Sequence, residues 1–405
     1  MELTGNEVRQ FVEEEDIKFI RLAFCDVYGQ QKNVAILPDE LERAFTSGIA
    51  MDGSAIRGFG RDVKSDLFLH PDPSTLERLP WRPDTAGVIR MFCAVTEPDG
   101  TPIPADSRNI LKKAIEDAKR EGIAFEFGAE MEFYLFRLDD DGAPTMVPYD
   151  RAGYMDIAPL DKGENIRREI CLTLEQMGIK PECSHHEEGP GQNEIDFRYG
   201  DALRAADNAM TFRPVVQTIS AASGLYADFS PKPLKGAPGN GMHINISART
   251  NGGCDVLDAI MAGIMHHIRE MTLFLNPLDA SYDRLGGSKA PRYVSWSHAN
   301  RSQLVRFPAT PGTKRRAELR SPDPMCNPYL AYALLIEAGL EGIRAGMQLP
   351  PEADLNLYTA PADVVAGFEK LPVTRVEAAR AAAESDFIRK YLPEDVLAAY
   401  LETRL

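Results

Sequence analysis

Three glutamates occupy even positions of the segment 125–135, and all of its odd positions are apolar. Successive side chains of a strand point to opposite faces, so this alternation predicts a strand with Glu126, Glu130 and Glu132 on one face. Carboxylates crowded in this way raise one another's pKa unless a cation lies among them. No Lys or Arg occurs in the segment before Arg137. A metal-binding face is therefore favoured over an ordinary solvated one.

Further segments carry polar groups of the same kind. His243, Asn245 and Ser247 alternate with apolar residues, and a Gly-Pro-Gly turn separates Glu187 from Glu194. If the polar segments form neighbouring strands, their polar faces pool six potential metal ligands. These are Glu130, Glu132, Glu187, Glu194, His243 and Glu318.

Five carboxylates with one imidazole are typical of sites for hard cations such as Mg²⁺ or Mn²⁺, and not of zinc sites. Six ligands suffice for two metals if waters or phosphate oxygens complete each shell, as in phosphoryl transfer from nucleotides. Several arginines could hold phosphate or carboxylate groups. They are Arg284, Arg301, Arg306, Arg316 and Arg320. Glu126 is interpreted as a solvated or paired carboxylate outside this set.

Alternating helices and short strands must position these residues. Strands are predicted at 123–137, 194–199, 242–248, 303–307 and 316–320. Helices are predicted at 107–121, 164–177, 201–222, 255–275 and 327–346. Helices over one face of an antiparallel sheet make an α+β fold. The first 100 residues read as short strands and turns, and the turn-rich loop 97–104 predicts a domain boundary.

Composition restricts the class of protein. The 405 residues are 44% hydrophobic and 26% charged, as in ordinary globular proteins of two or more domains. The net charge of −16 argues against a nucleic-acid partner. The six cysteines form no CxxC pair, and neither a signal peptide nor an apolar run of the ~18 residues that a membrane helix needs is found. We expect a cytoplasmic protein with reduced thiols and no membrane partner.

Seven motifs, in this order, resemble the glutamine synthetase family, and the match covers nearly the whole chain. They lie at 51–59, 127–133, 185–194, 241–243, 300–302, 318–324 and 327–330. The segment 18–21 and the spacing of Glu187 to Glu194 are similar to the bacterial and archaeal α-type of the class I enzymes.

The resemblance implies an N-terminal β-grasp domain at 1–100 and a glutamine synthetase catalytic domain at 104–405. It implies ring-shaped homo-oligomers, hexamers or dodecamers, with active sites between subunits. The implied activity is an ATP-dependent ligase with two or more Mg²⁺ or Mn²⁺ ions per site. It would join the γ-carboxylate of glutamate to ammonia through a γ-glutamyl phosphate.

Residue roles follow from the same resemblance. One metal would be held by Glu132, Glu187 and Glu194, and the other by Glu130, His243 and Glu318. ATP phosphates would be held by Arg301, Arg306 and Arg316, and adenine would lie by Ser247 and Arg316. Glutamate would be bound by Arg284, Arg320 and the Gly239 backbone, and ammonium by Asp52 and Tyr154. Catalytic roles are implied for Asp52, Arg301 and Arg306.

The acceptor side of the site departs from the family pattern. Family members carry a flap glutamate that closes the site and helps to take a proton from ammonium. Here the segment 284–291 is one residue shorter, and Lys289 stands in that position. Pro238 replaces an asparagine that helps to hold glutamate, and Ala55 replaces a serine next to Asp52.

Two interpretations of Lys289 carry equal weight. Either it enters the acceptor site, so that the enzyme joins another amine or another carboxylic acid, or it points outward and Asp52 alone handles the proton. A non-catalytic structural or regulatory role is a third possibility, which the presence of all six ligands disfavours. The chain also ends before the family's ring-clasping tail, so we expect weak pairing of rings and a hexamer.

Overall fold

The computed structural model describes residues 3–59, 65–82, 85–309 and 315–402. Within these ranges the strands form a six-stranded sheet near the N-terminus and a ten-stranded sheet that follows it. The ten-stranded sheet carries the predicted polar face.

The first sheet has the strand order β2-β1-β6-β4-β3, and β5 pairs with β6. Its helices and strands are α1 (Gly5–Glu14), β1 (Ile17–Cys25), β2 (Gln31–Ile36), α2 (Leu41–Thr46), β3 (Ile49–Asp52), β4 (Asp66–Pro71), β5 (Glu77–Arg78) and β6 (Gly87–Thr96). Strands β1 and β6 are parallel, and the remaining pairs are antiparallel. Asp52 is the last residue of the edge strand β3.

The second sheet has the order β14-β15-β16-β13-β7-β10-β9, and β8, β11 and β12 also pair with β7. Its strands are β7 (Ile123–Leu138), β8 (Pro144–Pro148), β9 (Pro181–His186), β10 (Gln192–Phe197), β11 (Gly200–Asp201), β12 (Leu225–Asp228), β13 (Met242–Thr250), β14 (Trp296–Ser297), β15 (Val305–Arg306) and β16 (Ala317–Leu319). All described pairs in this sheet are antiparallel except β14 with β15. The long strand β7 therefore organises the sheet.

Helices connect these strands and form the C-terminal end. They are α3 (Ser107–Arg120), α4 (Glu164–Gln176), α5 (Ala202–Ala222), α6 (Leu257–Leu275), α7 (Asp279–Arg284), α8 (Pro328–Arg344), α9 (Ala362–Val365), α10 (Arg375–Glu384), α11 (Asp386–Tyr391) and α12 (Glu394–Glu402). Over the described part of the chain, no helix combines the length and apolarity needed to cross a membrane.

The core lies on the apolar face of β7. Phe125, Phe127 and Met131 are buried there, and the ring of Phe127 stacks on Tyr332 of α8 at a centroid distance of 4.3 Å. Helices α3, α5 and α8 pack on this side, so the opposite face of the strand stays open to a site. The period-2 pattern of β7 thus separates the core from the polar face.

A buried ion-pair network joins the two sheets. Arg108 of α3 donates from Nη2 to Asp207 of α5 at 2.9 Å and from Nη1 to Asp72, which follows β4 of the first sheet, at 3.0 Å. Tyr329 donates its hydroxyl to Asp207 at 2.7 Å. Removing one member of such a buried network leaves a charge without its partner, which lowers the free energy of unfolding.

The predicted strands and helices are confirmed, with two corrections of extent. The strands predicted at 303–307 and 316–320 shrink to β15 and β16, of two and three residues. The sequence prediction missed β9, because Pro181–His186 shows no apolar alternation and lies at the sheet edge. Edge strands bury few side chains and so leave a weak pattern.

Candidate active site

Strand register brings the predicted ligands together. Glu132 of β7 lies opposite Glu194 of β10, and Glu130 of β7 lies opposite His243 of β13. On the next strand, Glu318 of β16 lies opposite Asn245 of β13. Directly opposed residues of neighbouring strands have Cβ atoms about 4.5–5.5 Å apart, so three strand pairings assemble one acidic patch.

The first half of this patch contains Glu132, Glu187 and Glu194. His185 Nε2 lies 3.0 Å from Glu187 Oε1 and 3.3 Å from Glu194 Oε2. Glu132 is fixed by the Gly241 N–H, which donates to its Oε2 at 2.8 Å. The turn predicted between Glu187 and Glu194 is present, since the Gln192 N–H donates to the Gly189 carbonyl at 2.9 Å.

Burial and mutual repulsion perturb these carboxyl groups. Burial, and then the nearby Glu187, raise the pKa of Glu132 to about 8. Burial and then Glu132 raise the pKa of Glu194 well above its usual value. Burial opposes ionisation of Glu187 as well, but hydrogen bonds led by the one with His185 lower its pKa to about 2. A cation placed among them would relieve this repulsion.

The second half contains Glu130, His243 and Glu318. His243 Nδ1 lies 3.4 Å from Glu130 Oε2 and 3.6 Å from Glu318 Oε1. Asn245 donates from Nδ2 to Glu130 Oε1 at 2.7 Å. Burial, followed by the charge of Arg320, lowers the pKa of His243 well below its usual value, so its imidazole is neutral, as a metal ligand must be.

The two halves form one site. Ligand atoms of Glu130, Glu194 and His243 lie within 4.8 Å of one another, and so do those of His185, Glu187 and Glu194. The carboxylate oxygens and one neutral imidazole fit hard divalent cations by their chemistry. The raised pKa values of Glu132 and Glu194 are also those expected of crowded carboxylates whose repulsion a bound cation would relieve.

Glu126 lies outside the cluster. It pairs with Arg249, and Ser247 Oγ lies 3.5 Å from its Oε2. Its interpretation as a paired carboxylate is confirmed. Ser247 is half-buried on the same face of β13 as His243, at the far end of the polar patch.

The arginines border the cluster. Arg306 donates from Nη1 to Glu318 Oε2 at 2.7 Å, and Arg320 pairs with the other oxygen of Glu318. The Nε atoms of Arg306, Arg316 and Arg320 are buried and have no hydrogen-bond partner among the described residues. Three unpartnered guanidinium donors beside carboxylates fit an anion such as a phosphate. Arg301 differs, because its side chain is exposed.

The residues predicted to bind glutamate lie around the buried Arg284. Arg284 is 2% exposed and donates from Nη1 to the Ser321 carbonyl at 2.7 Å. A Cβ on Gly239 would lie 2.8 Å from Arg284 Cγ, so only glycine fits there. Pro238 accepts a hydrogen bond from the Tyr134 hydroxyl at 2.7 Å, which holds this loop to β7.

The acceptor-side residues are only partly assembled. Lys289 Nζ lies 3.0 Å from Glu188 Oε1 and 5.9 Å from the centre of the Tyr154 ring. Tyr154 in turn packs edge-on against His185. Asp52 is not among them, because it lies in the N-terminal sheet and accepts hydrogen bonds from Ser54.

Sequence reasoning missed several residues of this site. His185, Glu188 and Gln192 lie in the motif 185–194, but no role in the site was predicted for them, and Asn245 was only placed on the face of His243. Gln192 donates from Nε2 to Glu132 Oε2 at 3.2 Å and to the Gly239 carbonyl at 3.1 Å. The alternation of β13 could have identified Asn245. The contacts of His185 depend on β9, which left no pattern in the sequence.

Comparison with known proteins shows the family. The family model for the glutamine synthetase catalytic domain matches residues 104–405, and that for the glutamine synthetase beta-Grasp domain matches residues 16–98. The chain belongs to the glutamine synthetase family. It has the predicted α+β fold of the family, with a β-grasp domain and a catalytic domain. It is accordingly an enzyme of the carbon–nitrogen ligase type.

Relatives within the family span nearly the whole chain. The glutamine synthetase of Methanosarcina mazei is 44% identical over 413 residues, which cover 98% of this chain and 92% of that protein. The glutamine synthetase of Staphylococcus aureus (strain MW2) is 40% identical over 417 residues, covering 99% and 94%. Among solved structures, a GmaS/ADP complex superposes with a TM-score of 0.88 at 28% identity, covering 97% of this chain and 93% of that one.

Proposed function

We propose that this enzyme joins the γ-carboxylate of glutamate to ammonia, with ATP converted to ADP and phosphate. The observation that carries the proposal is the acidic cluster, together with three arginines whose buried Nε atoms have no hydrogen-bond partner in the described part of the chain. Carboxylates that repel one another bind divalent cations, and the arginines bind phosphate. The glutamine synthetases of M. mazei and S. aureus, at 44% and 40% identity, support the same activity.

The residues suit the two metals that the resemblance implies. Glu132, Glu187 and Glu194 would hold one Mg²⁺ or Mn²⁺, and Glu130, His243 and Glu318 the other. When bound, the cations neutralise the phosphates of ATP and the charge that develops during phosphoryl transfer. Gln192, Asn245 and the Gly241 N–H orient these ligands from behind.

In the first step, a γ-carboxylate oxygen of glutamate attacks the terminal phosphorus of ATP, and ADP leaves. Arg306 and Arg316 would hold the moving phosphoryl group, with the exposed Arg301 closing on it. Adenine would lie near Ser247, and Arg284, Arg320 and the Gly239 backbone would fix glutamate. The product, γ-glutamyl phosphate, turns a poor electrophile into an acyl group with a good leaving group.

In the second step, ammonia attacks the acyl carbon and phosphate leaves with the former carboxylate oxygen. The amine must arrive unprotonated, so a base and a negatively charged pocket are needed. Tyr154 lies next to the cluster. Asp52 would come from the N-terminal sheet of a neighbouring subunit in a ring-shaped homo-oligomer, because its carboxylate contacts only Ser54 among its described partners.

A different amine or a different acid is the second candidate. Lys289 places an ammonium group beside Tyr154, which disfavours a cation in the same pocket. A non-catalytic role is disfavoured, because the described residues include all six implied ligands in one cluster.

Product analysis tests the proposal. The enzyme is incubated with Mg²⁺, ATP and glutamate, and the amide is identified by mass spectrometry with ammonium, methylamine or a diamine as acceptor. We expect glutamine to be the major product. Amide formation from methylamine but not from ammonium would instead establish the second candidate, and the absence of any amide with ATP left intact would reject ligase activity on glutamate.

A further inference from the structure

One residue of the flap, residues 286–291, contacts a neighbour of each half of the site. Lys289 points its ammonium group at Glu188, with 3.0 Å between Nζ and Oε1. Its own carbonyl accepts a hydrogen bond from Arg320 Nη2 at 3.4 Å. Arg320 pairs with Glu318 in the second half of the cluster. A single flap residue therefore contacts one residue beside each half of the cluster.

Glu188 connects this contact to the first half. Its backbone N–H donates to Glu187 Oε2 at 3.0 Å, so the position of Glu188 affects the orientation of an implied metal ligand. Glu188 lies in the loop between β9 and β10, and Lys289 in the loop that follows α7. The Lys289–Glu188 pair is thus a contact between two separate loops on the site.

The backbone of the flap has an unusual conformation at Lys289. Lys289 has a φ of 65°, a left-handed conformation that non-glycine residues rarely adopt. The flap is closed at its base by the Gly286 N–H, which donates to the Pro291 carbonyl at 3.1 Å. Neither the left-handed φ nor the hydrogen bond at the base of the flap requires a lysine at this position. The contact that uses the lysine side chain is the ion pair with Glu188.

We propose that the Lys289–Glu188 ion pair is a clasp that fastens the flap over the active site. Both are positioning residues: they hold the flap and the Glu187 loop together while the carboxylate is activated, and they keep water from the acyl phosphate. The catalytic part of this inference rests on the proposed function. Both side chains are partly exposed, at 48% and 38%, so the pair shifts flap closure by about two- to five-fold and is weakened by salt.

Hydrogen exchange of the full-length protein with Mg²⁺ and ADP tests the clasp, read by mass spectrometry over residues 286–291. We expect Lys289→Met and Glu188→Gln each to raise exchange about two- to five-fold. The double variant should show no further rise, and the reversed pair, Glu188→Lys with Lys289→Glu, should return exchange towards the original rate. Lys390→Met, which removes an ammonium group paired with Glu341 on helix α8, is the matched control and should leave the flap unchanged.

Unchanged exchange in the single variants, or additive effects in the double variant, would overturn the clasp. The accompanying kinetic readout is phosphate released per amide formed, which we expect to rise in both single variants because water reaches the acyl phosphate. Exchange is measured without turnover. If the enzyme makes no amide, the proposed function is rejected and the exchange measurement still decides the clasp. If exchange is unchanged in the single variants, the clasp is rejected and the proposed function is not affected.

Discussion

At the scale of single residues, the balance of charge around Glu132 determines what the site can hold. This residue is 8% exposed and lies opposite Glu194 across the β7–β10 pair. Burial and the charge of Glu187 raise its pKa to about 8, so at neutral pH its ionised form is disfavoured unless a cation lies close to it. Glu126, six residues earlier on the same face, has its own cation in Arg249.

These two glutamates form a matched pair of mutations. Glu132→Gln should weaken Mg²⁺ binding by at least about 10- to 100-fold, because a carboxylate that would ligate the metal is lost. Glu126→Gln should leave Mg²⁺ binding within about two-fold, because that carboxylate pairs with Arg249 at the surface. The Mg²⁺ affinity of both variants is measured by recording the thermal unfolding temperature as Mg²⁺ is added. Equal effects of the two substitutions would place the metal elsewhere.

At the scale of secondary-structure elements, one strand supplies both the core and the site. The odd positions of β7 face the helices, where Phe127 packs on α8 and Phe133 on α5, and its even positions carry Glu130 and Glu132. Towards its C-terminal end the polar Tyr134 is fully buried, and its hydroxyl donates to the Pro238 carbonyl. This bond holds the loop with Gly239, whose carbonyl also accepts from Gln192.

Tyr134→Phe should therefore affect stability and substrate binding together. Loss of this buried hydrogen bond should cost about 1 kcal/mol of unfolding free energy. It should also raise the KM for glutamate more than it lowers kcat, because the Gly239 loop loses its support. Urea unfolding and steady-state kinetics check the two effects. Tyr226→Phe, at a partly exposed tyrosine of β12, is the control, and a similar KM shift in both variants would contradict the role of the loop.

The elements were largely predictable from the sequence because their patterns are strong. The alternation in β7 and β13 gave both strands and their polar faces, and the helices α3 to α6 and α8 followed from amphipathic or apolar runs. The edge strand β9 was missed because its side chains bury little and so show no period. The pairing of Glu188 with Lys289 could not be predicted either, since it depends on how two loops approach in space.

At the scale of the whole molecule, one implied catalytic residue lies apart from the rest. Asp52 ends an edge strand of the N-terminal sheet, whereas the acidic cluster lies on the second sheet. Heterologous contacts between identical subunits close into rings and bring different surfaces of the chain together. A ring in which Asp52 of one subunit completes the cluster of its neighbour fits this separation.

Subunit mixing tests this arrangement. Asp52→Ala and Arg306→Ala subunits should each be inactive alone, since each lacks one side of every site. When equal amounts are co-assembled at random, about one quarter of the sites should combine an intact Asp52 with an intact Arg306. Specific activity should rise to about that fraction of the unmutated enzyme. Activity that stays at the level of the separate variants would place both residues in a site formed within one subunit.

Oxygen-isotope transfer tests the central claim most directly, which is that ATP phosphorylates the substrate carboxylate. Glutamate labelled with ¹⁸O in its γ-carboxylate is converted with ATP, Mg²⁺ and ammonium, and the released phosphate is analysed by mass spectrometry. Because the carboxylate oxygen that attacks ATP departs with phosphate, the account predicts one ¹⁸O atom in each phosphate formed. Unlabelled phosphate released alongside labelled glutamate would contradict it, since ATP would then be hydrolysed by water without activating the carboxylate.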